Sequence, residues 1–338
     1  MKIAIIGAGA IGGYLGAKLA LAGADVTFLV RGASLQAIRA QGVRLIAADG
    51  SEQVARQVRA SDDYRHAGVH DVVVLAMKAH QLGAVADSVP LLCGPETVIV
   101  PMQNGIPYWY FHKLPGRFEG QVLHSVDPEG RIARAIGPQR VLGCVVYPAS
   151  ELVAPGVVRH IEGDRFPLGE PDGSISARAQ RVSDAFQSAG FKAPLLSDIR
   201  AEIWLKLWGN LVFNPVSALT RATLADICRF EPTRQLAALM MSEAQQVAAE
   251  LGVTFRVSIE RRIAGAEKVG AHKTSMLQDI EAGREPEIEA LVGSVVELAR
   301  LTGTPTPHID SAYALVKLLE RTMNEEHGGV RLQKTVPA

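Results

Sequence analysis

The 338-residue sequence has no surplus of charge, because lysine and arginine together number 35 and aspartate and glutamate also number 35. Proteins that bind nucleic acid usually carry a basic surplus, so nucleic acid is a poor candidate for a partner. Cysteine is scarce: Cys93, Cys144 and Cys228 are too far apart for a disulfide framework or a clustered metal site, and they suit a cytoplasmic protein. No apolar run reaches about 18 residues, so no membrane span is predicted.

The nine histidines form no histidine–carboxylate cluster of the kind that metal sites use, so the sequence predicts no metal site. The apolar N-terminus imitates a signal peptide, but five glycines between positions 7 and 16 break the run. That density of glycine is more typical of a phosphate-binding loop. Hydrophobic residues make up 48% of the chain and charged residues 21%, which is the composition of a folded globular protein.

The length favours two domains, and the sequence pattern changes near residue 195. Before that point, short apolar runs alternate with helical patterns, which is typical of a parallel sheet covered by helices on both faces. A helix is predicted over 10–22, and the predicted buried strands are Lys2–Ile6, 25–30, 71–77 and 97–101. Two later strands, 141–147 and 157–161, are expected to form a hairpin at the sheet edge or a covering flap.

Beyond residue 195 the strand-like runs disappear, and apolar residues recur at three- and four-residue spacing. The predicted helices cover 199–230, 232–251, 255–270, 285–303 and 307–324. The predicted fold class is therefore α/β, with a Rossmann-type dinucleotide-binding domain over 1–195, an all-helical domain over 196–327 and a frayed tail over 328–338.

The segment Gly7-Ala8-Gly9-Ala10-Ile11-Gly12 fits the pattern G-x-G-x-x-G and lies between the first predicted strand and the first predicted helix. The first glycine permits the tight turn, the second lets the backbone approach a pyrophosphate, and the third lets helix and strand pack closely. The phosphates would lie against the positive N-terminal end of the helix. These six residues are therefore predicted to bind a dinucleotide.

The end of the second predicted strand indicates which dinucleotide binds. NAD sites usually carry an aspartate or glutamate there, on the ribose 2′-hydroxyl, whereas this chain has Phe28-Leu29-Val30-Arg31-Gly32. Arg31 can pair with a 2′-phosphate through forked, charge-assisted hydrogen bonds, so NADP(H) is the predicted cofactor. The alternative is a solvated loop arginine.

Two further polar residues follow predicted strands, at the edge where parallel strands open toward a ligand crevice. Lys78 follows the third strand and would contact the adenosine phosphate. The alternative is a solvent-exposed lysine at the start of a helix. Asn104 follows the fourth strand in Gln103-Asn104-Gly105, and Asn-Gly is also an ordinary turn signal. Its place at a strand end favours a role in the site.

The second half of the chain contains a polar stripe on an otherwise apolar helix. Lys206, Asn210 and Asn214 recur every four residues, so they share one helix face. Such a stripe is expected to line a cleft, because polar groups buried without partners are costly. Desolvation lowers the pKa of an ammonium group, so a lysine there would act as a proton donor near neutral pH. The alternative is an ordinary amphipathic helix with a solvated stripe.

Ser275 and Glu287 are not functional candidates from their spacing alone. Ser275 with Gln278 fits a capping box at a helix start. Glu287 fits an acidic residue at a helix N-terminus, where the macrodipole favours a negative charge.

Taken in order, these features resemble the ketopantoate reductases, which are 2-dehydropantoate 2-reductases. The resemblance covers nearly the whole chain and rests on the glycine loop, Arg31, Lys78-x-x-Gln81, Asn104-Gly105, Lys206-x-x-x-Asn210-x-x-x-Asn214-Pro215, and Ser275-Met276-Leu277-Gln278-Asp279 with Glu287. It implies a helical domain of the 6-phosphogluconate-dehydrogenase type and a site in the cleft between the domains. The implied reaction is NADPH-dependent reduction of a 2-oxo acid, with 2-dehydropantoate in pantothenate biosynthesis as the leading substrate.

The resemblance also implies roles for individual residues. Lys206 corresponds to the general acid that protonates the forming alkoxide, and Asn104 corresponds to a residue at the nicotinamide and the substrate. The other positions that correspond to substrate contacts are Asn210, Asn214 and Ser275. The remaining positions that correspond to cofactor contacts are Arg31, Lys78, Gln81 and Glu287.

Two departures from the family pattern keep the substrate open. A further asparagine that the family often carries is absent from 220–224, and the aromatic cluster 108–111 would either reshape the substrate pocket or pack as a surface loop on the helical domain. A reductase of another oxo or hydroxy acid is therefore one alternative, and a non-catalytic NADP-binding sensor is another. The apolar surface of the helical domain also favours a homodimer.

Overall fold

The computed structural model describes residues 1–332, and the chain divides into two compact units. The first unit comprises Met1–Val122 and Asp127–Glu202, and the second comprises Leu123–Val126 and the residues from Ile203 onward. The domain limits predicted at residues 195 and 327 stay predictions. Residues 333–338 of the predicted tail lie outside the described part of the chain.

All the strands of the described chain belong to the first unit. In chain order they are β1 (Lys2–Ile6), β2 (Asp25–Leu29), β3 (Val43–Ile46), β4 (Glu52–Ala55), β5 (Val58–Ser61), β6 (His70–Leu75), β7 (Cys93–Pro101), β8 (Gly143–Cys144), β9 (Ala149–Ala154), β10 (Val157–Glu162) and β11 (Leu168–Gly169). The main sheet has five parallel strands in the order β5-β2-β1-β6-β7. A second sheet joins β4-β3-β10-β9, and β8 pairs with β11. The predicted parallel sheet is therefore confirmed.

The helices of the first unit are α1 (Ala10–Leu21), α2 (Gly32–Gln41), α3 (Tyr64–Ala67), α4 (Arg131–Ile136) and α5 (Ala177–Ser188). Those that follow are α6 (Ile199–Thr220), α7 (Leu224–Arg229), α8 (Glu231–Glu250), α9 (Ile259–Lys268), α10 (Ser275–Glu281), α11 (Ser294–Thr302) and α12 (Pro307–Glu325). Since every regular element described after Glu202 is helical, the predicted all-helical part is confirmed.

The central strand β1 is apolar and buried from Ile3 to Ile6, because both faces of the parallel sheet are covered there. Ile3 and Ile5 on one face of β1, and Ala4 and Ile6 on the other, are all buried. A strand with only one buried face would alternate between apolar and polar residues. The continuous apolar pattern of β1 therefore indicates a buried strand, as predicted.

The predicted pairing of 141–147 with 157–161 is wrong. β10 does form an antiparallel hairpin, but its partner is β9, and both strands expose several side chains. The run 141–147 is mostly buried and follows a different path: Leu142 N donates to Ile99 O of β7, and Val145 N donates to Pro167 O. A run of apolar residues that are buried on both faces belongs in the interior rather than in an exposed hairpin.

The segment Leu123–Val126 belongs to the second unit although it is far from that unit in sequence. The backbone N–H groups of His124 and Ser125 both donate to the carboxylate of Glu297 on α11, each at 2.8 Å. Such charge-assisted bonds are stronger than bonds between neutral groups. One carboxylate thus links a short loop segment to the helical unit.

The aromatic segment 108–111 lies in the interior of the first unit, so the surface-loop interpretation is wrong. All four side chains are buried, and Trp109 packs so closely on Gly143 that a Cβ there would lie 2.8 Å from its ring. Buried Arg200, in the first turn of α6, donates to the carbonyl oxygens of Tyr110, His112 and Pro171 at 2.5–2.9 Å. Its guanidinium therefore satisfies three carbonyl groups around this segment.

Replacement of Arg200 by methionine is expected to lower the free energy of unfolding by about 3–5 kcal/mol, because three carbonyl groups would lose their charged donor. Urea unfolding followed by circular dichroism measures the loss. Arg181→Met on the exposed side of α5 is the matched control and should change the stability by less than about 0.5 kcal/mol. A loss below about 1 kcal/mol for Arg200→Met would show that water replaces the guanidinium.

Candidate functional site

The glycine loop lies between β1 and α1, at the carboxyl end of the sheet, and each glycine has a separate steric reason. Gly7 has φ +96°, a conformation that other residues rarely adopt. A Cβ on Gly12 would lie 2.0 Å from Gly7 O, so only glycine lets α1 approach the loop this closely. A Cβ on Gly9 would meet no described atom within 4 Å, so the space beside Gly9 is open on the protein side.

The start of α1 provides the electrostatics that a phosphate requires. Gly9 precedes the first turn, which carries no side-chain cap and no acidic residue among the described residues. Helix N-termini of this kind present backbone N–H groups and a positive partial charge to an anion. The open space beside Gly9 therefore has room for a pyrophosphate that a Cβ would obstruct, while Gly12 lets α1 approach the loop.

Arg31 is exposed and lies one residue beyond Val30, at the position that precedes α2. The first turn of α2 contains no acidic residue, so no carboxylate of that turn competes for the guanidinium. Burial raises the pKa of the nearby Tyr64 phenol, and the positive charge of Arg31 opposes that rise. Arg31 thus places a positive charge beside the end of β2, where the 2′-position of an adenosine ribose is expected.

Lys78 follows β6 and precedes a short 3-10 helix over Ala79–Ala84. Lys78 N donates to the side-chain oxygen of Gln81 at 3.4 Å, and Gln81 itself is exposed while Lys78 is half-buried. Both interpretations of Lys78 fit this geometry, because the residue stands at a helix start and also at the carboxyl end of a central strand. Its contact with an adenosine phosphate stays a prediction.

Asn104 follows β7, and Gly105 after it has φ +87°, so the Asn-Gly turn is present. The preceding residue, Gln103, is not a candidate from the sequence, but its side chain connects two strand ends. The side-chain nitrogen of Gln103 donates to Leu75 O at 2.8 Å and to Met77 O at 3.0 Å. No sequence signal identifies this contact, since it joins residues 26 and 28 positions apart.

The glycine loop, Arg31, Lys78 and Asn104 follow β1, β2, β6 and β7 respectively. These four strands are neighbours in the order β2-β1-β6-β7 and run parallel, so their carboxyl ends share one edge of the sheet. The structure therefore brings the four predicted features of the first unit to one edge. Ligands of open α/β sheets bind at this edge.

In the second unit, α6 carries Lys206, Asn210 and Asn214 on one uninterrupted helix. Lys206 and Asn210 are half-buried, whereas Asn214 is almost completely buried. The amide of Asn214 donates to Ser275 Oγ at 3.5 Å, which brings the start of α10 to the polar stripe. The stripe and Ser275, predicted separately, therefore lie together.

The opposite side of α6 is anchored by tryptophan. Trp208 Nε1 donates to Met241 O of α8 at 2.8 Å, and the Trp208 ring stacks on Phe255 with centroids 4.1 Å apart. Trp208 is completely buried. A helix held this firmly on one face presents its other face at a defined orientation, as a catalytic side chain requires.

The capping-box interpretation of Ser275 is wrong. Thr274 has the extended backbone of a cap residue, and its hydroxyl accepts from Leu277 N at 3.2 Å. The Gln278 amide donates to Lys273 O instead of returning to the cap. Since Ser275 is the first helical residue, its exposed hydroxyl lies outside the cap and contacts the Asn214 amide.

Glu287 is half-buried and precedes a π-helical turn over Glu289–Gly293, which leads into α11. Leu291 N donates to the Glu287 carbonyl oxygen at 3.2 Å, so Glu287 stands at the N-terminal end of this helical segment, as predicted. π-helical turns are frequent at functional sites. A contact of Glu287 with the cofactor stays a prediction.

Tyr14, two residues beyond the glycine loop, is an ionisable group close to the site edge. Its ring stacks on His160 with centroids 4.5 Å apart. Burial, followed by the negative charge of Asp164, raises the pKa of Tyr14 to about 12. The phenol is therefore neutral at physiological pH and acts as a packing group.

Within residues 1–332, no three or more histidine, cysteine, aspartate or glutamate side chains are arranged to hold a metal ion. Among the same described residues, no helix is both long enough and apolar enough to cross a membrane.

Comparison with known proteins adds the family. The family model "Ketopantoate reductase PanE/ApbA" matches residues 3–173, and "Ketopantoate reductase PanE/ApbA C terminal" matches residues 198–320. A 2-dehydropantoate 2-reductase of Mesorhizobium japonicum is 56% identical over 320 residues, which are 94% of this chain and 98% of the relative.

Solved structures of other proteins also resemble this chain. A protein of Ralstonia solanacearum MolK2, provisionally assigned as a ketopantoate reductase, superposes with a TM-score of 0.91 at 44% identity and covers 95% of this chain and 98% of that one. A D-mandelate dehydrogenase solved with NADH and anilino(oxo)acetate shares the fold, with a TM-score of 0.81, 24% identity and coverage of 96% and 99%.

The parallel sheet with its glycine loop and the helical unit with its polar stripe define the class of this protein, a Rossmann-type oxidoreductase with a helical C-terminal part. Both family models match, and together they cover most of the sequence. The chain belongs to the ketopantoate reductase family and is an oxidoreductase of the 2-dehydropantoate 2-reductase type.

Proposed function

We propose that this protein reduces 2-dehydropantoate to pantoate with NADPH, as a step of pantothenate biosynthesis, and that Lys206 is the general acid. The observation that carries the proposal is the 56% identity with a 2-dehydropantoate 2-reductase over nearly the full length of both chains. The polar stripe on α6 and the glycine loop supply the groups that this reaction requires.

The residues at the sheet edge fit a nicotinamide dinucleotide. Gly9 leaves open the space that a pyrophosphate fills, and the start of α1 attracts its charge. Lys78 and Gln81 would bind the adenosine phosphate end, and Glu287 would also contact the cofactor. When bound, the reduced nicotinamide supplies a hydride to the carbonyl carbon of the substrate.

Hydride arrival at that carbon leaves a negative charge on the carbonyl oxygen. Lys206 would stabilise this charge and transfer its proton to the oxygen, which completes the 2-hydroxy acid. Asn104, Asn210, Asn214 and Ser275 would donate hydrogen bonds to the oxygen and carboxylate atoms of the substrate. Amide and hydroxyl donors orient a carboxylate without adding charge.

Arg31→Glu is expected to weaken NADPH binding by about 100-fold and to change NADH binding far less, because only NADPH carries the 2′-phosphate that Arg31 would hold. Fluorescence titration with both cofactors measures the two dissociation constants. Arg181→Glu, with the same charge change on the exposed side of α5, should leave the preference unaltered. An unchanged ratio of the two constants in Arg31→Glu would refute the assignment of the 2′-phosphate to Arg31.

A substrate panel followed by NADPH oxidation tests the reaction itself. The panel contains 2-dehydropantoate, a short straight-chain 2-oxo acid, a branched one without a hydroxyl, and phenylglyoxylate. We expect the highest kcat/KM with 2-dehydropantoate. A preference for phenylglyoxylate would instead favour the alternative of another 2-oxo acid, which the shared fold of the mandelate dehydrogenase accommodates.

Absence of turnover with every acid, together with intact NADPH binding, would favour the non-catalytic sensor. We further propose a cytoplasmic homodimer. The exposed apolar side chains Leu315 and Leu318 on α12 support an association surface. Light scattering at two protein concentrations distinguishes a dimer from a monomer.

A further inference from the structure

Gln103 is the most unusual polar residue at the carboxyl edge of the sheet. Its side-chain nitrogen donates two hydrogen bonds, to Leu75 O at 2.8 Å and to Met77 O at 3.0 Å. Its side-chain oxygen is buried and has no hydrogen-bond partner among the described residues. A buried acceptor without a partner costs about 1–3 kcal/mol, so a side chain that keeps this arrangement needs a compensating reason.

The two acceptors of Gln103 flank the segment against which the glycine loop packs. Ala76, between Leu75 and Met77, has its carbonyl oxygen 3.2 Å from where a Cβ on Gly7 would stand. The Ala76 side chain lies 2.8 Å from where a Cβ on Gly12 would stand. A small displacement of this segment would therefore either open the loop or press on it.

The same side chain joins two predicted ligand-binding residues through the backbone. Met77, an acceptor of Gln103, directly precedes Lys78, while Gln103 directly precedes Asn104. The two N–H groups of one amide set the distance between the end of β6 and the turn after β7. A single donor would not define this distance, because one hydrogen bond leaves the two backbones free to rotate about it.

We propose that Gln103 is a positioning residue. Its two hydrogen bonds hold the backbone before Lys78 and the turn at Asn104 in place beside Ala76, the residue against which the glycine loop packs. It acts through these neighbours and does not touch the substrate. This inference rests on the proposed function, in that the positioned groups are those that would hold NADPH and the 2-oxo acid.

The test compares Gln103→Met with Gln103→Glu. Methionine has a similar length and no donor, so we expect NADPH to bind about 10-fold more weakly at every pH. A glutamate carboxylate would face two carbonyl oxygens and repel them, whereas the protonated acid can donate one hydrogen bond. The dissociation constant of Gln103→Glu should therefore rise as the pH increases from 5 to 8, by about 10-fold more than that of the wild type.

A side chain that merely fills space would not produce this pH dependence. Gln121→Glu is the control, because the Gln121 amide also donates to a backbone carbonyl, that of Arg117, but at the exposed surface. Its NADPH affinity should follow the wild type at each pH. Urea unfolding identifies a variant that no longer folds, and if Gln103→Met does not, the pH profile of Gln103→Glu decides alone.

Wild-type affinity in both variants, or parallel pH profiles for Gln103→Glu and the wild type, would overturn the inference. Direct titration with NADPH separates this outcome from failure of the proposed function. A wild type that binds NADPH but does not reduce 2-dehydropantoate contradicts only the proposed function. A wild type that binds neither NADPH nor NADH overturns both.

Discussion

Replacement of Lys206 by alanine is expected to lower kcat by about 10²–10⁴-fold, which is the contribution of a positioned general acid. Alanine can neither give a proton to the carbonyl oxygen nor oppose the negative charge that develops there. NADPH affinity should stay within about twofold of the wild type, since the proposed contribution of Lys206 is confined to the chemical step. Single-turnover NADPH oxidation and equilibrium titration measure the two quantities.

The fold should tolerate this change. Lys206 is half-buried, and the packing of α6 depends on the opposite side, where Trp208 bonds to Met241 and stacks on Phe255. Lys206→Arg keeps the positive charge, but a guanidinium does not release its proton near neutral pH. It should therefore recover only a small part of the lost kcat.

Lys268→Ala, which removes an exposed lysine at the end of α9, is the matched control and should behave as the wild type. If Lys206→Ala keeps more than about a tenth of the wild-type kcat, Lys206 is not the general acid.

Alanine at Gly9 and alanine at Gly12 are expected to affect NADPH binding and stability in different proportions. At Gly9 a Cβ meets no described atom within 4 Å, and φ is −71°, so the folded protein accepts it without strain. The same Cβ would occupy the space that the pyrophosphate needs. We therefore expect NADPH to bind about 10–100-fold more weakly with nearly unchanged stability.

At Gly12 the Cβ would lie 2.0 Å from Gly7 O and 2.8 Å from the Ala76 side chain. Neither neighbour is the far end of a flexible side chain, so α1 or the loop must move. The expected result is a loss of about 1–3 kcal/mol in stability together with at least about 100-fold weaker NADPH binding.

Urea unfolding without cofactor and fluorescence titration with NADPH separate the two effects. Gly265→Ala on α9, where a Cβ also meets no described atom within 4 Å, serves as the control for adding a methyl group. Wild-type NADPH affinity in Gly9→Ala would show that this loop does not hold the pyrophosphate.

Much of the site was predictable because its signals are local. The G-x-G-x-x-G spacing, the buried apolar strands and the four-residue repeat of Lys206, Asn210 and Asn214 each depend on backbone geometry within a single strand, turn or helix. The strand order is a finding of the tertiary structure, which places Arg31, Lys78 and Asn104 after neighbouring strands.

Other features were missed or misread because several sequence interpretations are locally equivalent. Thr274 and Ser275 are adjacent, and both residue types suit a helix cap. Only the backbone conformation in the structure shows that Thr274 is the cap residue. The aromatic cluster 108–111 has a composition that fits either a surface loop or a core. The burial of its side chains and the bonds from Arg200 to its carbonyl groups show that it lies in the interior.

The sequence by itself determined the parallel sheet, the helical character of the second part, the glycine loop between β1 and α1 and the polar face of α6, since each depends on the geometry of a single strand, turn or helix. Only the tertiary structure decided that β10 pairs with β9, that Asn214 meets Ser275, and that Gln103 links the ends of β6 and β7. These contacts join residues far apart in the chain, and their energies depend on which surfaces folding brings together rather than on any spacing within a segment.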